Sequence, residues 1–246
     1  MKKIQILYPP DESGNMKSYF IEEALAMKEN GFFVDCEVKP ESDGVLVRGY
    51  TIWKQDNYPR YKRMIQGWDE NKKTLFMEEF YPIIKAVTIP TEILDELDEK
   101  LIKQISVKNQ WNRVFIKSSA RSLFPMGEYA SVWPDTSIDF MKKQYESVGL
   151  TGPFAIRKFI DEPEIFYNEQ RYWILNGNAY HPSGIIPDFV KENGRKMFEF
   201  SGSHYFTMDV AGEYIVEINP GESSDRGGDN PLDWFCDIFA KEFLYK

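Results

Sequence analysis

The sequence predicts a globular α/β (α+β) protein, and three observations support that prediction. The chain has 246 residues, of which 42% are hydrophobic and 28% charged, close to the average of folded water-soluble proteins. Its apolar residues alternate between short β-rich runs and segments with helical spacing, as in mixed α/β folds. The sequence contains no internal repeat and no low-complexity segment. This length allows one large domain or two to three small lobes.

Residues 1–90 predict a small N-terminal α/β lobe. A helix is expected after the first strand, because Tyr19, Phe20, Ala24 and Met27 have helical spacing before Gly31. The predicted strands of this lobe cover residues 3–8, 32–38, 44–48 and 74–78.

Residues 91–160 and 161–246 predict two further lobes. Thr91 is a good helix N-cap, and apolar residues recur at helical spacing from Ile93 to Ile105. Asn230-Pro231 predicts the start of a terminal helix in which Leu232, Phe235, Phe239 and Phe243 share one face. The predicted strands of these lobes cover residues 114–118, 154–160, 170–175, 204–211 and 213–219.

Charge and cysteine content exclude several classes of protein. The net charge of −9 disfavours nucleic acids and anionic membranes as partners. The two cysteines, Cys36 and Cys236, lack the spacing of a disulfide framework or a zinc site. No apolar run is long enough for a signal peptide or a membrane span. We therefore expect a cytoplasmic protein that binds neither nucleic acid nor membrane.

The last two predicted strands carry the residues that indicate chemistry. Gly212 allows the tight turn of a hairpin, and side chains alternate between the two faces of a strand. Glu217 and Asn219 therefore share one face, and the turn brings Asp209 near them. Carboxylate and amide oxygens are ligands that Mg²⁺ prefers, so the hairpin predicts a metal site. The alternative is a set of ordinary polar residues on a half-exposed strand.

Basic residues within or just beyond the predicted strands form a second signal in this acidic chain. Chemistry on a triphosphate needs fixed cations that offset and orient the phosphate charge. Each cation taken alone has the alternative of an ordinary solvated charge or salt bridge. Arg48, near a strand end, could select an acidic or amino substrate, and its alternative is a solvated charge. The basic residues in question are Lys117, Arg121, Arg157, Lys158 and Arg171.

These features, in this order, resemble the ATP-grasp superfamily, and in particular a compact clade of it found in bacteria and phages. The resemblance runs from about residue 74 to the C-terminus, and the N-terminal lobe corresponds to a pre-ATP-grasp domain. It implies two lobes that clasp ATP. The motifs are Val114-Phe-Ile-Lys117, Phe154-Ala-Ile-Arg-Lys-Phe-Ile160, Glu169-x-Arg171, Asp209-Val-Ala and Glu217-Ile-Asn219.

The resemblance also implies roles for individual residues. Lys117 corresponds to the strand lysine that contacts nucleotide phosphates, and the backbone after Arg157 and Lys158, at Phe159 and Ile160, would meet adenine. Glu169 would lie near the ribose or the hinge, and Arg171 near the γ-phosphate or an acyl-phosphate. Asp209, Glu217 and Asn219 would hold Mg²⁺. The motif departs from many relatives, which carry a glutamate where this chain has Arg157-Lys158.

The function implied by the resemblance is that of an ATP- and Mg²⁺-dependent ligase. Such an enzyme joins a small-molecule or peptide carboxylate to an amine nucleophile through an acyl-phosphate, with Lys117 and Arg171 as the catalytic cations. Two alternatives stay open at this stage. One is a small-molecule phosphotransferase, and the other is a nucleotide-binding partner module without turnover.

Overall fold

The computed structural model describes most of the chain as two compact units. The described residues are 2–50, 55, 58–61, 63–120, 131–150, 152–161, 168–227 and 230–246. The first unit comprises Met1–Thr74, Gln170–Val210 and Glu217–Lys246, and the second comprises Leu75–Glu169 and Ala211–Val216. The predicted three-lobe organisation, with boundaries at residues 90 and 160, stays a prediction.

Strands and helices alternate along the described chain, as the sequence predicts for a mixed α/β fold. The strands are β1 Ile4–Leu7, β2 Phe33–Asp35, β3 Gly44–Val47, β4 Thr91–Leu94, β5 Val114–Ser118, β6 Val132–Trp133, β7 Phe154–Lys158, β8 Gln170–Leu175, β9 Asn178–Tyr180, β10 Tyr205–Ala211 and β11 Tyr214–Pro220. The helices are α1 Ile21–Glu29, α2 Trp68–Leu75, α3 Met77–Ile84, α4 Glu99–Asn109, α5 Ile138–Ser147, α6 Asp188–Ser201 and α7 Leu232–Phe243.

Two sheets form the framework of the first unit. One is parallel, with the order β2-β1-β3, and the other has the order β11-β10-β8-β9. Phe235 and Phe239 of α7 pack against Trp173 of β8, with ring centroids 5.1 and 5.5 Å apart. Burying one such ring contributes about 1.5–3 kcal/mol. Ala24 and Met27 of α1 join the same core, as their spacing predicts.

The second unit contains a four-stranded sheet with the order β4-β7-β5-β6. Ile116 of β5 and Ile156 of β7 are opposite each other and are buried in a core with residues of α4 and α5. Side chains alternate along a strand, so Lys117 and Arg157 lie on the opposite face of this sheet. That face therefore carries two of the basic residues selected from the sequence.

Two predicted elements are wrong, for identifiable reasons. Residues 74–78 were expected to form a strand, but they lie at the end of α2 and the start of α3. Thr91 was expected to cap a helix, but it begins β4, where it pairs with Arg157. The true cap is Asp98, whose side chain accepts a hydrogen bond from the Leu101 amide at 2.9 Å. Short apolar runs fit both periods, and here pairing with β7 decides in favour of a strand.

Within the described ranges, no helix is both long and apolar enough to cross a membrane.

A fully buried carboxyl group lies just after β11 in the first unit. Glu222 Oε1 accepts hydrogen bonds from Tyr58 Oη at 2.8 Å and from Gln66 Nε2 at 2.6 Å. Burial raises the pKa of this carboxyl above its ordinary value, against the opposing effect of the hydrogen bonds from Gln66 and Tyr58. The folded protein therefore holds the Glu222 proton more tightly than the unfolded chain does.

The substitution Glu222→Gln should change how stability depends on pH. In the wild type, this carboxyl destabilises the fold progressively as the pH rises from about 4.3, its unfolded value, through its raised folded pKa. Gln keeps an oxygen for Tyr58 and Gln66 but does not titrate. The free energy of unfolding of the variant, relative to wild type, should increase across this window in urea titrations and stay constant below it. A difference that is the same at every pH would contradict the assignment.

Candidate functional site

The candidate site begins with a cross-strand ion pair in the first unit. β8 and β10 are antiparallel, and their register places Arg171 opposite Asp209. Arg171 Nε donates to Asp209 Oδ1 and Nη2 donates to Oδ2, each at 2.7 Å. This two-bond fork is the geometry in which a guanidinium recognises a carboxylate most strongly. Asp209 is only 2% exposed, so the pair is largely shielded from water.

The neighbouring strand, β11, adds an amide and a second carboxylate. Asn219 Nδ2 donates to Asp209 Oδ2 at 3.3 Å and to Glu217 Oε2 at 3.1 Å. Ile218 between them is buried, as strand alternation requires. The structure thus brings together Arg171, Asp209, Glu217 and Asn219, which we call the hairpin cluster. Their roles as metal ligands and catalytic residues stay predictions.

A third carboxylate, which the sequence analysis did not select, also contacts the hairpin cluster. Asp225 Oδ1 accepts a hydrogen bond from Arg171 Nη1 and another from the Gly227 amide at 2.8 Å. Gly227 has φ +91°, and a Cβ there would lie 2.8 Å from the Arg171 Cβ, so only glycine fits. An Asp two residues before a Gly is a turn signal that marks this position, although it does not reveal the arginine.

Burial and charge act in opposite directions on the pKa values of the ion pair. Burial raises the pKa of Asp209 above its ordinary value, although the hydrogen bonds and charge of Arg171 act to lower it. Burial alone would lower the pKa of Arg171, but Asp209, with Asp225 and Glu217, raises it. Arg171 therefore stays a cation, and it is the group that makes the buried Asp209 carboxylate tolerable.

The hairpin cluster fits a magnesium ion better than it fits a transition metal. In the described part of the chain, no three or more His, Cys, Asp and Glu side chains are grouped as a metal site. Two carboxylates and an amide are a smaller set of hard oxygen ligands, which suits Mg²⁺ because it takes its other ligands from water and phosphate. A 180° rotation of the Asn219 amide would exchange its nitrogen and oxygen, so that the oxygen would lie on the same side as the two carboxylates.

The predicted basic residues of the second unit have different environments. Lys117 is 3% exposed on β5, opposite Ala155 of β7. Arg157 is also buried and donates to Thr91 Oγ1 and Thr88 Oγ1, each at 3.2 Å, and to the Val216 carbonyl at 2.6 Å. Arg157 therefore connects three separate segments of its own unit by hydrogen bonds.

The segment after Arg157 is predicted to contact adenine. Two of its backbone amides donate hydrogen bonds to carbonyls of the same unit. The Lys158 amide donates to the Pro90 carbonyl at 2.9 Å, and the Phe159 amide donates to the Arg113 carbonyl at 3.1 Å. The Lys158 side chain is exposed and Ile160 is half-buried. Adenine contacts at this segment stay a prediction.

The two remaining predicted residues are Glu169 and Arg121. Glu169 is exposed immediately before β8. Arg121, one of the basic residues selected as a phosphate-binding cation, lies outside the described residues.

Comparison with known proteins gives similarity at the level of structure. No family model matches the chain. No curated protein matches it either. Among solved structures, D-cycloserine synthetase DcsG aligns with a TM-score of 0.62 and 13% identity, covering 97% of this chain and 99% of the other.

Two further solved structures are complexes with a precursor. The ATP-grasp ligase PsnB, complexed with a phosphomimetic variant of its minimal precursor, Mg and ADP, has a TM-score of 0.58 and 11% identity, covering 98% and 99% of the two chains. The macrocyclase MdnC from Microcystis aeruginosa MRC, bound with precursor peptide MdnA, has a TM-score of 0.58 and 11% identity, covering 97% and 99%. The chain therefore has the ATP-grasp fold, as its motifs suggested.

The two carboxylates that share Arg171 should contribute unequally to stability. Asp209→Asn should lower the free energy of unfolding by about 2–3 kcal/mol, because it weakens a buried, charged pair. Asp225→Asn is the matched control on the same guanidinium: the Asp225 side chain is 79% exposed, and its loss should lower stability by less than about 1 kcal/mol. Urea unfolding at pH 7 measures both, and equal losses would contradict this description of the site.

Proposed function

We propose that the chain is an ATP- and Mg²⁺-dependent ligase that joins a carboxylate to an amine through an acyl-phosphate. The observation that carries the proposal is the hairpin cluster, in which a fixed arginine, two carboxylates and an amide come together from β8, β10 and β11. The ATP-grasp fold supports it, because solved ligases of that fold align over nearly the whole chain.

The proposed reaction has two steps. A carboxylate oxygen of the first substrate attacks the γ-phosphorus of ATP and displaces ADP, giving an acyl-phosphate. The amine then attacks the acyl carbon and loses a proton, and inorganic phosphate leaves with the bonding electrons. The balance is one amide, one ADP and one phosphate for each ATP consumed.

Arg171 would hold and orient the anionic group that is transferred. Its guanidinium is fixed on one side by the fork to Asp209, so it is already oriented before a substrate arrives. Preorganised donors of this kind act where negative charge develops during phosphoryl transfer. Lys117, buried on its strand in the second unit, would supply the second cation.

Asp209, Glu217 and Asn219 would hold Mg²⁺, and the Asn219 amide, which bonds to both carboxylates in the structure, would turn its oxygen toward the ion. When bound, the ion would offset the charge of the ATP phosphates. The carboxylate substrate would be a small molecule or a peptide. Support for these two classes comes from the structural neighbours, one named for D-cycloserine synthesis and others bound to precursor peptides.

Substitution of the hairpin cluster should abolish turnover without abolishing the fold. Glu217→Gln keeps the size of a half-buried side chain but removes its charge, and it should reduce ADP release by about 100-fold or more. The matched control is Glu213→Gln, on the exposed turn of the same hairpin, which should retain wild-type turnover. The assay follows ADP and phosphate in the presence of Mg²⁺, ATP, a pool of amino acids or peptides, and an amine.

The product pattern of this assay separates the three candidate functions. A ligase releases phosphate in step with a new amide, which mass spectrometry detects. A phosphotransferase makes ADP and a phosphorylated product without free phosphate. A silent binding module would release no ADP from any pool. Equal turnover in Glu217→Gln and wild type would exclude the hairpin cluster as the site.

Binding can be measured before any substrate is known. At about 100 times its dissociation constant, Mg²⁺-ATP should stabilise the wild type by about 2.7 kcal/mol, which a thermal melt resolves. The stabilisation should require Mg²⁺ and should be lost in Glu217→Gln but kept in Glu213→Gln. A shift that is the same with and without Mg²⁺ would contradict the proposed metal site.

A further inference from the structure

Arg48, directly after β3, is the most buried cation among the described residues of the first unit. Its position near a strand end is typical of a solvated charge, but the residue is only 1% exposed. Its Nε and Nη2 donate to the two oxygens of Glu23, each at 3.1 Å. Its guanidinium carbon lies 5.1 Å from the ring centroids of both Trp173 and Phe235. The solvated interpretation is therefore wrong.

The third nitrogen of the Arg48 guanidinium, Nη1, donates hydrogen bonds to the segment that follows β11. Nη1 donates to the Gly221 carbonyl at 2.7 Å and to the Ser224 carbonyl at 2.6 Å. These two carbonyls bracket a tight turn, residues 221–224, in which the Ser223 and Ser224 amides both donate to the Pro220 carbonyl. A single side chain thus fixes both ends of the 221–224 turn.

Steric fit restricts the same turn from another side. The Gly221 amide donates to the Tyr205 carbonyl at 3.2 Å, and a Cβ on Gly221 would lie 2.2 Å from the Tyr205 ring. The turn has little room to shift toward β10 while Arg48 holds its carbonyls.

Asp225 is the next residue after the 221–224 turn, and it bonds to Arg171 of the hairpin cluster. Contacts therefore run continuously from Arg48 through two backbone carbonyls to Asp225 and then to Arg171. All of these residues belong to the first unit.

Stability alone is a weak reason to bury an arginine in this way. Removing a guanidinium from water is costly, and apolar residues of similar volume often give equal or greater stability. The hydrogen bonds of Arg48 do specify geometry, since they fix two carbonyls at one point. We infer that Arg48 is a positioning residue, which sets the 221–224 turn so that Asp225 orients Arg171 for the transferred anionic group.

The kinetic test of this inference is a double-mutant cycle, and it rests on the proposed function. Arg48→Lys keeps the charge but loses the planar fork, and Asp225→Asn weakens the bond to Arg171 by removing the charge of its acceptor. Each should lower kcat for ADP release about 10- to 100-fold with little change in KM for ATP, because a displaced orienting group costs rate more than binding. If Arg48 acts through Asp225, the double variant should be no slower than the slower single variant.

Hydrogen exchange gives a second readout that needs no activity. In Arg48→Lys, the amides of Ser223, Ser224 and Gly227 should exchange at least about tenfold faster, because the turn opens locally more often. Amides at the centres of β8 and β10 should keep their wild-type rates. Arg63→Lys is the matched control, since Arg63 also donates to two loop carbonyls, those of Pro40 and Ser42, but of a different loop.

Glu23→Gln is a second variant that tests the same contacts if Arg48→Lys does not fold. Gln keeps one oxygen for the guanidinium, so exchange at Ser223 and Ser224 should increase in the same direction by a smaller factor. Unchanged exchange at these amides in the folded variants, or rate losses that multiply in the double variant, would overturn the inference. Absence of ADP release by the wild type would instead refute the proposed function, and the exchange data would still decide the role of Arg48.

Discussion

The hairpin cluster depends on the pairing of Arg171 with Asp209. Asp209 is buried on β10, and a buried carboxylate is costly unless a cation and hydrogen bonds compensate for it. The antiparallel register of β8 and β10 supplies that cation directly opposite. Because the sheet sets this geometry, the orientation of Asp209 toward Asn219 and Glu217 follows from strand pairing and does not rely on a loop.

Two arginines of the first unit make the same pattern of hydrogen bonds to the segment 221–225. Arg48 forks onto Glu23 and reaches the carbonyls of Gly221 and Ser224, while Arg171 forks onto Asp209 and reaches Asp225. In each case a carboxylate fixes the guanidinium, and the guanidinium then holds the chain after β11. The segment 221–225 is thereby restrained at its carbonyls by one arginine and at its side chain by the other.

The sequence predicts the elements of the fold and the residues of the site only where the signal lies in neighbouring residues. β5 and β8 have the predicted bounds, and the hairpin follows from the alternation around Gly212. Thr91–Leu94 is a strand because β7 pairs with it, which no local pattern contains. Likewise, Arg48 is buried because Glu23 and the 221–224 turn, distant in sequence, meet it in the fold. Local sequence predicts β5, β8 and the hairpin carboxylates Asp209 and Glu217, whereas tertiary partners decide β4 and the burial of Arg48.

The charges of the hairpin cluster also limit what can bind there. Three carboxylates, Asp209, Glu217 and Asp225, surround the single guanidinium of Arg171, which leaves an excess of two negative charges. Such a site repels phosphate at close range, and the net charge of −9 adds to that repulsion. In the proposed function, a divalent cation balances this local excess. Arg171 can then present its outer edge to an anion, so nucleotide binding should depend on the metal even though the site contains an arginine.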